Sequence, residues 1–348
     1  MKTKEELIAF ARETLGLPGE SPAELSAFAG RGSDRAYFRF RWDAKNSVIL
    51  VHYRTTRIEN TFFVDIARFL LDNGIPVPQI IRHDEASSLI LMQDLGDRDL
   101  WSLRSASWEM RKNLYRKTLS IAHRLHSFDE KLFPSARIRI MDAFGPDLYR
   151  WERRYFLDHF VHDLCRIRLE PELEQRLETE LEEMARRLAS GGRHLVHRDL
   201  QSRNVIICGE APFLIDFQGL RFGTPFYDMG SLLCDPYVAF SESQRAELLW
   251  FYYGLSKMDM DWEAFQIRFW EASAQRLMQA LGAFGLLGLG KGLKLYLAHV
   301  PAGCRNLRMA AENAGCLPSL VEICASCGEA LARTIGRPSH PKQNRDGK

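Results

Sequence analysis

Apolar and polar positions change rhythm about a third of the way along this chain. Residues 1–17 show the 3.6-residue spacing of a short amphipathic helix. From Tyr37 to Trp42 apolar and polar side chains alternate one for one, which predicts a strand following a Gly/Ser turn. Ser47–Tyr53 is nearly all apolar and reads as a second strand. Residues 60–74 return to helical spacing, with Phe62 or Phe63, Ile66, Phe69 and Leu70 on one face and Gly74 as the stop. After Pro76 and Pro78, residues 79–84 and 87–96 read as two further strands. Strands around one helix predict a small α+β lobe over residues 1–96.

From Ser107 the rhythm is helical. Residues 108–128, 148–167 and 171–190 carry long apolar stripes, the last opened by Pro171 and closed by Gly191-Gly192. Residues 194–219 interrupt them as loop, strand, turn and strand. Helical spacing resumes over 241–335, giving a larger lobe over 97–335, and the polar tail 336–348 is expected to be disordered. No internal repeat is present.

Composition narrows the class. With 348 residues, 46% hydrophobic and 26% charged, the chain is an ordinary globular protein. A net charge of +2 does not point to nucleic acid or an anionic membrane as partner. No apolar run is long enough to span a bilayer, and the first helix lacks the uninterrupted core of a secretory signal, so a cytoplasmic location is expected. The seven scattered cysteines do not read as a disulfide framework. Cys324 and Cys327, three apart on a helix, read as buried apolar groups rather than half of a zinc site.

The chemistry lies in residues 194–219, HLVHRDLQSRNVIICGEAPFLIDFQG. His197-Arg198-Asp199 is followed by Asn204, then by an apolar strand ending in Asp216-Phe217-Gln218-Gly219. This is the spacing protein kinases use to move a phosphoryl group. Asp199 is placed to take the proton of an incoming hydroxyl. Asn204 and Asp216 supply the oxygen ligands that magnesium prefers. Gly30, Gly32 and Ser33 form a turn able to cover phosphates, with Arg35 adding charge beside it, although a plain hairpin turn has the same composition. His52 stands where a kinase strand carries lysine, so Arg35, Arg54 or Arg57 must rebuild that clamp. Met92, Gln93 and Leu95 fall where a kinase hinge holds the adenine edge. Gly285 to Lys291 matches the start of a phosphate-binding loop, but Gly292 follows where Ser or Thr is needed. It reads instead as a glycine-rich junction where another helix packs close.

These residues resemble the aminoglycoside phosphotransferase/choline kinase superfamily. Its bilobal, protein-kinase-like fold has a small β-rich N-lobe and a large, mainly helical C-lobe. HRDLQSRN, IDFQGLRFGTPFYDMGSLLCDPY and AQRLMQALGAFG are most similar to the bacterial anomeric N-acetylmuramate/N-acetylglucosamine kinases. The resemblance implies ATP and Mg²⁺ as cofactors, a sugar as partner, and a place in cell-wall recycling. It makes Asp199 the base, Asn204 and Asp216 the metal ligands, and Asp228 an anchor of the catalytic loop. Antibiotic kinases usually carry glycine where Arg198 stands. Glu152, Gln201, Arg203, Gln218 and Arg276 are implied on the sugar side, with Arg276 suited to a lactyl carboxylate; loop hydrogen bonds and an interhelix ion pair are the plainer readings. Two alternatives stay open: a kinase of another small alcohol, such as an aminoglycoside or choline, and a non-catalytic nucleotide-binding pseudokinase. Only eight residues separate Gly219 from Asp228, too few for a protein kinase activation segment.

Overall fold

The computed structural model describes residues 2–19, 22–28 and 35–335. Helix α1 (Lys4–Leu15) is followed by β1 (Glu24–Ala27), β2 (Ala36–Arg41) and β3 (Ser47–His52). Helix α2 (Glu59–Asp72), β4 (Ile80–Asp84) and β5 (Leu89–Gln93) complete this part. The strands form one antiparallel sheet in the order β1-β2-β3-β5-β4. Strand β3 is apolar throughout because both of its faces are covered. Val48 and Leu50 join Leu89 and Leu91 of β5 against Leu7, Phe10 and Ala11 of α1. Ile49 and Val51 join Ile90 and Met92 in the main core with α2. Strand β1 has one buried residue, Leu25, so its composition carries almost no strand signal.

The helical part begins with α3 (Trp108–His126), α4 (Pro146–Phe156) and α5 (Pro171–Ser190). Four short strands follow: β6 (His194–Val196), β7 (Val205–Cys208), β8 (Ala211–Leu214) and β9 (Arg221–Gly223). They pair β6 with β9 and β7 with β8. The remainder is α6 (Pro225–Leu233), α7 (Glu242–Ser256), α8 (Trp262–Gly285), α9 (Val300–Ala314) and α10 (Pro318–Ile335). This is a kinase-like fold, a small antiparallel sheet joined to a mostly helical body. The two parts are joined by a backbone hydrogen bond from Leu214 N to Pro76 O (2.8 Å), and the segment after β5 is tied to β7 by Leu100 N to Val205 O (3.0 Å) and Ile207 N to Arg98 O (2.6 Å). No helix among the described residues is long and apolar enough to cross a membrane. The tail at 336–348 lies outside the described residues.

Cys324 and Cys327 are 2% and 0% exposed on α10, as small apolar groups in the core. The expected single helix over 148–167 is two segments: α4 runs on into a widened π-helical stretch at Leu157–Leu164. The glycines at the end of α8 meet this junction. A Cβ on Gly282 would lie 2.7 Å from the Tyr155 ring, and one on Gly285 only 2.1 Å from the His159 carbonyl oxygen. Gly285 therefore serves backbone approach, in a helix-packing role. Replacing Gly285 with alanine forces backbone atoms apart and is expected to destabilise the fold by about 1–3 kcal/mol. A urea midpoint equal to that of wild type would refute this packing constraint.

Candidate active site

The loop from β6 to β7 carries Asp199, Gln201, Arg203 and Asn204, and two buried carboxylates fix its path. Asp228, at the start of α6, accepts the backbone N–H of His197 (2.7 Å) and of Arg198 (2.8 Å). Its Oδ2 also meets His126 Nε2 at 3.0 Å, and His126 Nδ1 lies 2.6 Å from the Tyr252 hydroxyl. Asp235 accepts the backbone N–H of Ser202 (2.8 Å) and of Tyr237 (2.9 Å). His197 Nε2 lies 3.0 Å from Ile215 O, and its Nδ1 accepts Asp199 N–H at 3.3 Å; one tautomer, protonated at Nε2, satisfies both. Asn204 O accepts Ile215 N–H at 3.0 Å, which ties the β6–β7 loop to the segment before Asp216.

Asp199 and Asp216 each meet one arginine. Asp199 Oδ1 pairs with Arg276 of α8. Its Oδ2 accepts from Asn204 Nδ2 (3.0 Å) and Gln201 Nε2 (3.2 Å). Asp216 sits in the left-handed region at φ 65°. Its Oδ1 pairs with Arg35, just before β2, and accepts from Gln218 Nε2 at 3.1 Å, while Gln218 Oε1 accepts from Arg35 at 2.6 Å. The acids are the more open members: their side chains are 30% and 34% exposed, against 9% for Arg276 and 7% for Arg35. Burial works to raise the Asp216 carboxyl, but the Arg35 charge and hydrogen bond outweigh it and hold the group below the usual carboxylate range. Phe217 stacks on Phe63 of α2 with ring centroids 4.6 Å apart, fixing the loop against the sheet's own helix.

Among the described residues, Asn204 Oδ1 and Asp216 Oδ2 receive no hydrogen bond from the protein. An amide oxygen and a carboxylate oxygen left open on neighbouring loops suit a hard divalent cation that keeps most of its water.

On the sheet side, Gly30, Gly32 and Ser33 lie outside the described residues. His52 ends β3 opposite Ala36 and Leu89, and burial lowers its pKa. The cation brought to the Asp216 loop is therefore Arg35. Met92 is buried, and Gln93 donates its N–H to Gln79 O at 2.9 Å. The Leu95 N–H has no protein acceptor among the described residues. Between them Asp94 accepts from Arg39 Nε (2.6 Å) and Ser47 (2.7 Å), anchoring the hinge to β2 and β3.

On the opposite side the structure redistributes several expected contacts. Glu152 has no exposed surface; it accepts from the Tyr227 hydroxyl (2.8 Å) and Gln275 Nε2 (2.9 Å), joining α4 to α6 and α8. Burial raises its pKa despite the Arg198 charge nearby. Arg276 donates to Asp199, to Ser231 Oγ (3.1 Å) and to Gln279 (2.6 Å), so each of its three nitrogens already has a protein partner. Arg203 lies over the rings of Trp101 (4.8 Å) and Tyr237 (5.5 Å). Gln201 and Gln218 do flank the two acids. Asp235, His126 and Tyr237 were not singled out in the sequence; only the run Cys234-Asp235-Pro236-Tyr237 hinted at two of them.

The chain is similar to several known proteins. The family model described as "Phosphotransferase enzyme family" matches residues 24–265. The N-acetylmuramate/N-acetylglucosamine kinase of Pseudomonas aeruginosa is 24% identical over 316 residues, covering 88% of this chain and 89% of that protein. The protein of the same name from Neisseria meningitidis is 22% identical, covering 87% and 92%. Among solved structures, ADP-bound aminoglycoside phosphotransferase APH(2'')-Ib superposes with a TM-score of 0.59 at 15% identity, covering 94% of this chain and 99% of that one. A choline/ethanolamine kinase family protein from Mesorhizobium loti gives 0.58 at 15% identity, covering 93% and 99%.

Burial raises the Asp235 carboxyl to about 6, against the pull of its two N–H donors. A carboxyl raised on folding binds its proton more tightly in the native state, so stability falls as pH climbs from about 4 to about 6. Asp235→Asn cannot accept both N–H bonds and is expected to be less stable, but it lacks this titration. The advantage of wild type over the variant should therefore shrink by up to about 3 kcal/mol across that window. Denaturant titrations at several pH values measure it, and a constant difference would refute the raised carboxyl.

Proposed function

The chain belongs to the phosphotransferase enzyme family, and we propose that it is an ATP-dependent sugar kinase whose acceptor is the anomeric hydroxyl of N-acetylmuramate or N-acetylglucosamine. The observation that carries the reading is the pairing of a positioned carboxylate, Asp199, with two open oxygens, on Asn204 and Asp216, across adjoining loops. The acceptor comes from the names of the relatives, which cover most of their own length. ADP in a neighbour of the same fold favours an adenine nucleotide.

In this reading Asp199 accepts the proton of the sugar hydroxyl as its oxygen attacks the γ-phosphorus, and the bond to the β-phosphate oxygen breaks to release ADP. Arg276 holds Asp199 Oδ1, and Asn204 with Gln201 holds Oδ2, so the carboxylate cannot rotate freely. Arg35 brings to the phosphates the fixed charge that His52 does not. Asn204 and Asp216 would hold Mg²⁺, which neutralises phosphate charge when bound. Removal of the sugar from cell-wall turnover, in the cytoplasm, is the setting this activity suits.

A polycationic acceptor is disfavoured by the acids of residues 262–315. Glu271 is buried on Arg187 (2.5 Å) and Arg268 (3.4 Å), Glu312 pairs with Arg308 (2.7 Å), and Glu263 lies exposed in the first turn of α8. Two of the three are thus held by arginines rather than left open to an ammonium group.

The direct test incubates the protein with ATP, Mg²⁺ and each of N-acetylmuramate, N-acetylglucosamine, glucose, kanamycin and choline, with ³¹P and ¹H NMR of the products. A sugar 1-phosphate is expected; transfer to kanamycin or choline would replace the acceptor and keep the chemistry. Nucleotide binding without turnover of any acceptor or of ATP itself would favour the pseudokinase. Asp199→Ala should lower kcat by about 10²–10⁴-fold while leaving nucleotide affinity in place; near-normal turnover would remove Asp199 from the role of base. Asp216→Ala should weaken Mg²⁺-dependent nucleotide binding, and calorimetry showing unchanged affinity would remove it from the metal site.

A further inference from the structure

Arg198 follows the loop's histidine at φ 75°, a backbone region that glycine occupies freely and a side chain enters only under strain. A glycine at this position would remove that strain. The arginine side chain runs beside the next loop: a Cβ on Gly219 would lie 3.4 Å from Arg198 Cδ. Arg221 sits opposite Val196 in the β6–β9 pair, two residues before Arg198. It is only 6% exposed, and its guanidinium lies 5.3 Å from the Phe144 ring centre.

Both arginines meet the Gly219 segment, and two cations so placed suit an anion. Burial, and then the Arg198 charge, lowers the Arg221 pKa to about 10. Among the described residues, Arg221 makes one hydrogen bond, from Nε to Gly219 O at 3.1 Å, and neither guanidinium reaches a carboxylate. Glu152 is the acid felt by both arginines, but its oxygens accept from Tyr227 and Gln275. The two arginines that meet the chemical acids are engaged, Arg35 on Asp216 and Arg276 on Asp199. Tyr155 of α4 feels the Arg198 charge and stands partly exposed beside it.

We propose that Arg198 and Arg221 form a carboxylate-binding site on the acceptor side of Asp199, and that it receives the lactyl carboxylate of N-acetylmuramate. The second part rests on the acceptor reading above. A guanidinium fork matches a carboxylate with paired hydrogen bonds. Arg198 adjoins the base in the chain and its charge reaches Glu152 and Tyr155 of α4, so we assign the anion it would hold to the molecule being phosphorylated. N-acetylglucosamine lacks this group and gains nothing from the site, which makes Arg198 and Arg221 the residues that discriminate between the two sugars.

The test measures kcat/KM for both sugars in wild type, Arg198→Gln and Arg221→Gln, and takes the ratio of N-acetylmuramate to N-acetylglucosamine so that any general loss cancels. A charge-assisted hydrogen bond of about 1.5–3 kcal/mol predicts a fall in that ratio of about tenfold or more in each variant. A smaller change in both overturns the proposal while leaving the sugar kinase reading intact. Arg221→Lys keeps the charge and loses the fork, and is read in the same way if the glutamine variant does not fold. If wild type turns over neither sugar, the acceptor reading fails, and the site is judged with D-lactate against chloride at equal ionic strength. A lactate-dependent rise in the unfolding midpoint of wild type, absent from the variants, supports the site; an equal response in all of them overturns it.

Discussion

The buried carboxylate of Asp228 is the constraint on which the site depends. It accepts two consecutive backbone N–H groups, those of His197 and Arg198, and so holds the chain through the left-handed turn that precedes Asp199. Hydrogen bonds to a charged acceptor in a dry interior are strong enough to offset the strain at Arg198. His126 meets the same carboxylate, and Tyr252 meets His126, so the charge is not left with one side unsatisfied. Asp235 does the corresponding work at Ser202. Two acids far from solvent thereby fix both ends of the loop that carries the chemistry.

Within that frame, the charges of the cleft are arranged across elements distant in sequence. Arg276 comes from the long helix α8 and Arg35 from the edge of β2, and each is more deeply buried than the aspartate it meets. The arrangement leaves the anionic members facing the open side. It is a preorganised field, set by packing before any ligand arrives, which is the condition under which electrostatics contributes most to a transfer step. It also couples the sheet to the helical body, because Arg35 and the Phe63–Phe217 stack both end on the segment containing Asp216.

The elements most legible in the sequence were those whose local pattern is sufficient. Strands β3 and β5 announced themselves by apolar runs, α2 and α5 by their stripes, and the Asp199, Asn204 and Asp216 series by spacing alone. Strand β1 was silent because it buries a single residue. The π-helical stretch after α4 was silent because it arises where the backbone meets the glycines of α8, a fact of packing between segments over a hundred residues apart. The same reason hid the engagement of Arg276. Its sequence offers a cation on a helix facing the site, and only the tertiary structure shows that Asp199, Ser231 and Gln279 already surround it. Glu152 was displaced from the acceptor wall on similar grounds, since an acid with no exposed surface and two donors of its own serves the joint between helices.

The placement of these two residues bears on what the cleft can recognise. Glu152 is turned inward and Glu271 is held by two arginines, so neither is an open carboxylate for a cationic acceptor. With Arg276 paired to Asp199, Arg198 and Arg221 are cations that, among the described residues, have no carboxylate in contact. The strain tolerated at Arg198 gives this asymmetry its weight. Asp228 would hold the backbone of a glycine in that turn equally well, because it binds main-chain N–H groups alone. What the arginine adds is therefore not the turn but the guanidinium, carried to the Gly219 loop beside a second buried cation. On the proposed reading, a fold whose anchoring acids, core helices and metal-suited oxygens serve phosphoryl transfer in general gains its acceptor preference from a position in the loop where backbone geometry and side-chain identity disagree.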